Sequence, residues 1–296
     1  MPLIADTPTV VALPYVPDGG WPRRIGALEP VGAMTLSSGD TAWGGFSAIA
    51  LHRGRAILLS DGGNVASFVI RAGRIEQARG TVLPDGPGAG WERWDRDSES
   101  LAFDPVRGTS WIGYENHNQI WRYGPGFTRA ERKARPTAMK PWVNNQGAES
   151  LVRLRDGRFI VIAERRPKRR TRHALLFSGD PTIPGTRVAP FRIQPPDRYD
   201  PSDAVELPDG DLLVLTRRFQ YPFRFTAKLV RIPRAAIRPG AEARGTVIAT
   251  LAPPVMGENC EGIAITREGG HTMVWIVTDN DLMPWRPTYL MKFRLP

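Results

Sequence analysis

The sequence predicts an all-β fold, a single β-propeller domain over residues 1–296 in which five blades are favoured and six stay open. Three observations predict it: one strand template recurs along the chain, a glycine-containing turn follows each copy, and an unbroken apolar strand follows each turn. Helical repeat proteins would instead carry apolar residues with a period of about 3.6.

The recurring template is a small or acidic residue, a small residue and an aliphatic strand. Its five copies are Phe46–Leu51, Ser98–Phe103, Ala148–Arg153, Ser202–Leu207 and Cys260–Ile265. The second residues of the copies stand at positions 47, 99, 149, 203 and 261, so successive copies are 50 to 58 residues apart. A period near 50 with several strands in each unit is typical of propeller blades.

A tight turn and a second strand follow each copy. The turns contain Arg53-Gly54, Arg107-Gly108, Asp156-Gly157, Asp209-Gly210 and Gly269-Gly270. Glycine is favoured there because it accepts the positive φ that such hairpins require. The second strands, such as Phe159–Ile162 and Leu212–Leu215, are continuously apolar, which indicates burial on both faces between blades. Helix signals are sparse, and Pro233–Arg238 is predicted to form a single turn.

Residues 1–44 precede the first copy of the template. They contain β-like stretches such as Thr9–Leu13. We expect this N-terminal segment to complete the last blade and close the ring, with a degenerate sixth blade as the alternative. No interior linker divides the chain.

Acidic residues recur at two positions of each hairpin. The first strand leaves one face of the ring and the second returns to it, so the start of the first and the end of the second share that face. Acids at the first position are Glu99, Glu149, Asp203 and Glu261, with Ser47 in the remaining copy. Acids at the second position are Asp61, Glu115, Glu164 and Asp279, with Thr216 in the remaining copy.

An innermost first strand would place the first set around the mouth of the central channel. Carboxylates this close raise one another's pKa unless a cation lies among them. Oxygen-only ligands favour Ca²⁺, or Mg²⁺, over zinc. Glu99, Glu149, Asp203 and Glu261 are therefore predicted to hold a divalent cation. The alternative is structural, because acids at strand starts also cap turns or pair with arginines of a neighbouring blade.

Other side chains near the predicted mouth suggest proton transfer and anion binding. Glu115 and His117 are the candidates for general acid–base chemistry, since one is an acid at the mouth and histidine is the side chain that most often transfers protons in enzymes. Arg217, Arg218 and Arg122 are candidates for binding an anionic substrate, because guanidinium groups bind phosphate and carboxylate in pairs of hydrogen bonds. Ion pairing between blades is the alternative for these arginines.

Composition limits the classes of partner. The chain has 40 Lys and Arg against 30 Asp and Glu, a formal net charge of +10. Six of the bases fall within residues 165–172, a run that is typical of a solvated loop, with weak contact with an anionic surface as the alternative. No nucleic-acid-binding motif accompanies the run, so specific nucleic-acid recognition is not expected. The single Cys260 excludes an intramolecular disulfide and a cysteine-built zinc site.

Targeting signals are sparse as well. No apolar run approaches the roughly 18 residues of a membrane-spanning helix, so no span is predicted. The residues after Met1 show no signal peptide, although an exported protein in its mature form would look the same. We expect a monomer.

Taken in order, several segments resemble the bacterial phytase-like family named for the esterase-like activity of phytase. They are Gly45–Ala50, Ser98–Ala102, Tyr114–Tyr123, Leu213–Phe219 and Cys260–Ala264, with Thr278–Asp281 and Thr288–Leu290 as the closing strand pair. The resemblance extends from about residue 24 to residue 296. It implies a β-propeller, export to the periplasm, and hydrolysis of phosphoesters or other esters. Thr216 stands where glutamate is expected before Arg-Arg-Phe, a departure that would remove one ligand from the mouth.

The leading hypothesis is a metal-dependent hydrolase of a phosphorylated or otherwise anionic small ester, periplasmic or secreted, with a cytoplasmic location left open. Two alternatives stand beside it. One is a non-catalytic binding propeller of the cell envelope. The other is a lactonase-type propeller, which would share the central metal but act on an uncharged ring ester.

Overall fold

Short antiparallel strands make up nearly all of the regular structure. The computed structural model describes residues 2–88, 93–143, 147–164, 170–222, 224–283 and 285–296. In these residues the helices have three or four residues each: α1 (Arg93–Arg96) and three 3-10 helices, Pro125–Phe127, Thr137–Met139 and Arg234–Ala236. The last of them confirms the turn predicted at Pro233–Arg238. No helix of the described residues is both long and apolar enough to cross a bilayer.

The strands follow one another in blade order. The N-terminal pair is β1 (Val10–Pro14) and β2 (Glu29–Ser38). The first blade is β3 (Phe46–His52), β4 (Arg55–Ser60), β5 (Asn64–Arg71) and β6 (Arg74–Val82). The second is β7 (Ser98–Asp104), β8 (Thr109–Tyr114), β9 (Gln119–Tyr123) and β10 (Ala130–Ala134).

The remaining strands form three further sheets. The third blade contains β11 (Ala148–Arg153), β12 (Phe159–Ala163), β13 (Arg172–Phe177) and β14 (Val188–Gln194). The fourth contains β15 (Asp200–Glu206), β16 (Leu212–Gln220), β17 (Arg224–Ile232) and β19 (Thr246–Leu251), while β18 (Glu242–Arg244) pairs parallel to β14 of the third blade. The fifth contains β20 (Asn259–Glu268), β21 (His271–Asp279) and β22 (Thr288–Leu295).

The N-terminal pair completes the fifth blade. β2 lies antiparallel to β22, and β1 lies outside β2, so this sheet has the order β1-β2-β22-β21-β20. Strands from both ends of the chain therefore share one sheet, which closes the ring. The predicted five-bladed propeller and its closure by the N-terminal segment are confirmed.

The first strand of each hairpin is innermost. β3, β7, β11, β15 and β20 stand at the inner edges of their sheets, and each packs beside the next around the ring. All five hairpin turns contain a glycine with positive φ, between 68° and 90°, as the turn pattern predicted: Gly54, Gly108, Gly157, Gly210 and Gly270.

The hydrophobic core is divided among the spaces between blades. One buried cluster fills each of the five interfaces; between the second and third blades, for example, Trp111 packs edge-to-face on Phe159 with ring centroids 4.9 Å apart. Continuous burial of second strands such as β12 follows from this arrangement, because each sheet is covered on both faces. The apolar interfaces hold the inner strands in fixed positions around the channel.

Candidate functional site

Each innermost strand carries a β-bulge at the end nearest the channel mouth. In β7, Ser98 pairs with Tyr114 and Ser100 with Gly113, so Glu99 is the extra residue between them. The same shift in the other inner strands makes Ser47, Glu149, Ser202 and Glu261 the extra residues. A bulge re-aims the side chain of its unpaired residue. Five bulges at one level of the ring therefore redirect the side chains of three glutamates and two serines. These side chains do not follow the regular alternation between the two faces of their strands.

A polar cavity of about 320 Å³ lies at this mouth. Among the residues that the structure describes, nine carboxylates, one arginine, one serine and one asparagine line it: Asp61, Asp97, Glu99, Glu115, Glu149, Glu164, Glu261, Asp279, Asp281, Arg217, Ser47 and Asn259. Apart from Asp203, the acids predicted at both hairpin positions thus meet in one place, as expected for strands that leave and return to the same rim. The cavity has a large excess of potential negative charge.

Two groups of three carboxylates in the cavity are spaced for a metal ion. One group is Asp97, Glu99 and Glu115, and the other is Glu115, Glu149 and Glu164; within each group one oxygen from every member lies within 4.8 Å of the others. Glu115 belongs to both groups. Its position is fixed by a hydrogen bond of 3.1 Å that the Gly147 amide donates to its carboxylate. A Cβ on Gly147 would approach the Glu115 carbonyl oxygen to 2.7 Å, so the close approach requires glycine.

Arg217 is the internal cation of the cavity lining. It stands on β16, and its Nε lies 3.2 Å from Glu261 while one Nη lies 3.4 Å from Glu164. A third contact of 3.4 Å joins its other Nη to the Asn259 side-chain oxygen. These distances exceed the roughly 2.7–2.9 Å of a strong charge-assisted hydrogen bond. The guanidinium therefore neutralises one side of the cavity without being locked to a single partner.

Burial and mutual repulsion raise the pKa values of the lining carboxyls. Desolvation, with the charges of Asp97 and Glu164 next, raises the pKa of Glu115 to about 9. Desolvation raises the pKa of Glu261 to about 7, a shift that Arg217 partly offsets. The pKa of Glu99 is raised by burial and by acidic neighbours. Acids therefore lead the charges that act on Glu99 and Glu115.

Asp203 lies outside this cavity. The bulged residue of β15 is Ser202, so Asp203 occupies the next position, where the other inner strands carry Ala48, Ser100, Ser150 and Gly262. Its carboxylate accepts hydrogen bonds of 2.8 Å from the amides of Ala204 and Ile263, the latter in the fifth blade. Successive residues of a strand point to opposite faces. Asp203 therefore joins two blades instead of facing the channel.

The comparisons with known proteins agree with this architecture. Residues 41–282 match the Phytase-like family, described by the esterase-like activity of phytase. The chain belongs to this family. No curated protein matches the sequence.

Solved structures resemble this phytase-like chain in fold. Glutaminyl cyclase of Myxococcus xanthus superposes with a TM-score of 0.50 at 12% identity, over 99% of this chain and 98% of that one. A hydrazine synthase chain of Kuenenia stuttgartiensis gives a TM-score of 0.41 at 11% identity, over 83% of this chain and 59% of that one. At identities this low, a structural likeness bears on the fold alone. The superposition on glutaminyl cyclase supports the propeller fold.

Three further residues that the sequence suggested for the site of this phytase-like propeller lie away from the cavity lining. His117 is half-buried in the turn between β8 and β9. Arg218 follows Arg217 on β16 and therefore faces the opposite side of the strand. Arg122 on β9 pairs with Glu131 of the same blade at 3.0 Å and with Asp180 of the third blade at 2.8 Å, and the latter is the interblade ion pairing that was the alternative for this residue.

The repeat pattern did not predict two of the acids that line the cavity. Asp97 stands two positions before the bulged Glu99, and Asp281 stands two positions after the end of β21. Aligning the copies on the bulged residue reveals a signal for the first, because the residue two positions before the bulge is also polar in two other blades, Asp200 and Asn259. Asp281 has no counterpart in the repeat. Of the predicted basic run, residues 165–169 lie outside the described residues.

Proposed function

We propose that this phytase-like propeller is a divalent-cation-dependent hydrolase of small anionic esters, with phosphoesters as the first class, and that the mouth cavity is its active site. The observation that carries the proposal is the pair of carboxylate groups sharing Glu115, beside the guanidinium of Arg217 in the same lining. An anion-binding group next to a cation-binding group is what an anionic ester requires.

The donor set fits a hard divalent cation. Nine carboxylates in about 320 Å³ cannot all ionise without a counter-charge, and Arg217 supplies one positive charge among them. The oxygens are all of the type that Ca²⁺ and Mg²⁺ prefer. Asp97, Glu99 and Glu115 are the proposed principal ligands, since they form one of the two groups spaced for an ion and acids lead the charges that raise the pKa values of Glu99 and Glu115. Glu149 and Glu164 complete a second set through Glu115.

The residues of the chain divide the chemistry among them. Arg217 would bind an oxygen of the anionic substrate, because its present contacts are long enough to be exchanged for a shorter one. Glu261, 3.2 Å from Arg217 and with a pKa of about 7, would transfer the proton to the leaving-group oxygen. A bound divalent cation would polarise the scissile group and lower the pKa of a water.

A purified sample tests the proposal in two steps. Calorimetric titration with Ca²⁺ and Mg²⁺ should show binding, and hydrolysis of 4-nitrophenyl phosphate, phytate or 4-nitrophenyl acetate should depend on the bound ion. Glu115→Gln should abolish both, whereas Glu76→Gln, which changes an acid of the outer strand β6, should alter neither. Absence of cation binding would overturn the proposal. Binding without hydrolysis of any ester would favour the non-catalytic binding propeller.

The uncharged lactone stays the alternative substrate class. Arg217 favours an anion, and a lactone panel run beside the phosphoesters distinguishes the two. The periplasmic or secreted location, the monomeric state and the weak anionic-surface contact of the basic run stay predictions.

A further inference from the structure

A second, larger cleft lies between the fifth and first blades. Its volume is about 920 Å³, nearly three times that of the mouth cavity. The turns β3–β4, β5–β6 and β20–β21 border it, so it opens on the rim opposite the mouth. Its size falls within the roughly 300–1,000 Å³ of small-molecule sites.

Small residues of β2 leave the space open. The pairing of β2 with β22 shifts between Pro30 and Gly32, and Gly32 and Ala33 line the cleft. A Cβ placed on Gly32 would meet no heavy atom within 4 Å. The cleft therefore reflects missing side-chain volume at the blade that closes the ring.

The walls of the cleft are largely apolar. Met34, Leu51, Ile70, Ile265 and Leu290 contribute aliphatic surface from both blades. Trp275 forms part of the same wall, with its indole N–H donated to the Thr266 hydroxyl at 2.9 Å, so its polar atom is satisfied. An apolar chain in this space would remove hydrophobic surface from water.

Positive charge stands at the inner end of the cleft. Arg53 lies on the β3–β4 turn and Arg267 lies near the end of β20, and these two ends are brought together because β3 packs beside β20. Among the described residues, neither guanidinium forms an ion pair with a carboxylate, and Arg267 donates only to the Thr272 hydroxyl at 3.3 Å. The nearby Glu268 is already paired with Lys292 at 2.6 Å. Two like charges at the same end of neighbouring hairpins would be stabilised by an anion between them.

We propose that this cleft binds an amphipathic carboxylate, an alkyl chain with one anionic end. The chain lies against the aliphatic walls, and the carboxylate lies between Arg53 and Arg267. Both parts of the ligand are required, because Glu268 and Lys292 in the lining are paired with each other and the two exposed arginines supply little apolar surface. The site is separate from the mouth cavity, so it stands whether or not the proposed hydrolase activity does.

Dodecanoate is the probe for the first measurement. Titration is followed by calorimetry in the presence of a chelator, which keeps divalent cations from precipitating the ligand or occupying the mouth. Dodecanoate should bind at one site per chain, while acetate and dodecyltrimethylammonium should not bind at the same concentrations. Equal binding of the anionic and cationic amphiphiles, or no binding of dodecanoate, would overturn the proposal.

Two kinds of variant locate the site. Gly32→Leu should fill the cleft and weaken dodecanoate binding at least about tenfold, because the side chain occupies the ligand's space. Gly39→Leu is the matched control, since Gly39 also has open space around it but lies outside the cleft, and it should bind as the wild type does. Unchanged affinity in Gly32→Leu would place the ligand elsewhere and overturn the assignment.

The double variant Arg53→Ser/Arg267→Ser tests the charged end. It should weaken dodecanoate binding about tenfold or more, as loss of a charge-assisted hydrogen bond does, and leave binding of dodecanol unchanged. Calcium binding at the mouth, measured on the same samples, should equal that of the wild type. An equal loss for dodecanol and dodecanoate would mean that the arginines act on the fold and would contradict the proposed head-group contact.

Discussion

At the residue scale, the cavity is governed by the imbalance between nine carboxylates and Arg217. The arginine contacts Glu261 and Glu164, while Glu99 and Glu115 lie mainly among acids. Protonation and cation binding are two ways of relieving the same repulsion, so they compete. The free energy of unfolding should therefore respond to pH, to calcium and to the removal of Arg217.

We expect stability without cations to fall as pH rises from about 5 to about 9. Glu115 and Glu261 have raised folded-state pKa values, about 9 and about 7, so the folded protein binds their protons more tightly than the unfolded chain does. The stability they contribute is complete below the ordinary glutamate pKa and is lost as pH rises through the folded values. Urea unfolding at pH 5, 7 and 9 in the presence of a chelator measures this loss of unfolding free energy. Stability that is constant or rises over this range would contradict the pKa shifts, and saturating calcium should reduce the loss.

Arg217→Leu should destabilise the cation-free protein by about 3 kcal/mol or more, because it leaves buried acids without their compensating charge. Calcium should restore part of this loss, so the difference in Tm between chelator and calcium should exceed that of the wild type. Thermal unfolding of both proteins in the two conditions is the measurement. Arg218→Leu is the control on the opposite face of the strand. A Tm in chelator equal to the wild type's would show that Arg217 does not stabilise the cavity.

At the scale of the element, the β-bulge determines which side chains reach the channel. The repeat predicted that acids would gather at the start of each inner strand, and Glu99, Glu149 and Glu261 do so. In β15 two polar residues, Ser202 and Asp203, are adjacent, and the sequence pattern alone does not distinguish which is bulged. A shift of one residue exchanges the two faces of a strand. Only the observed register placed Ser202 at the bulge and Asp203 between blades.

This register predicts opposite effects on stability and calcium affinity for substitutions of two acids, Asp203 and Glu99. Asp203→Ala should cost about 2 kcal/mol or more of unfolding free energy, since the amides of Ala204 and Ile263 lose their acceptor, with calcium affinity unchanged. Glu99→Gln should instead stabilise the cation-free protein by relieving repulsion and weaken calcium binding at least about tenfold. Urea unfolding of both variants measures the change in stability, and calcium titration measures the change in affinity. Loss of calcium affinity in Asp203→Ala with retained stability would reverse the assignment.

At the scale of the whole molecule, the ring is closed by strands from both ends of the chain. The 50-residue period and the β-like N-terminal stretches were enough to predict five blades and this closure. The cleft between the fifth and first blades was not predictable, because it depends on how far apart two sheets stand around Gly32, and no local pattern encodes that distance. Asp281 was missed for a related reason, since its approach to the cavity depends on the path of a connecting segment, whereas Asp97 becomes recognisable once the copies are aligned on the bulged residue.

Ring closure should therefore depend on the buried side chains of β2. Leu36→Ala should lower the unfolding free energy by about 2–5 kcal/mol, because Leu36 is fully buried in the cluster between the fifth and first blades. Leu13→Ala, in the adjacent β1, is the matched control and should change it by less than about 0.5 kcal/mol, since Leu13 is 59% exposed. Urea unfolding compares them. Equal effects of the two substitutions would show that the N-terminal pair contributes little to closure.

The most direct test of the cation site is an anomalous-difference map from crystals grown with Mn²⁺, which prefers the same carboxylate ligands. We expect a peak in the mouth cavity within about 2.6 Å of oxygens from Asp97, Glu99 and Glu115, a distance suited to hard cations. A map with no peak in the cavity at saturating Mn²⁺, or with its only peaks outside the channel, would contradict the proposed centre.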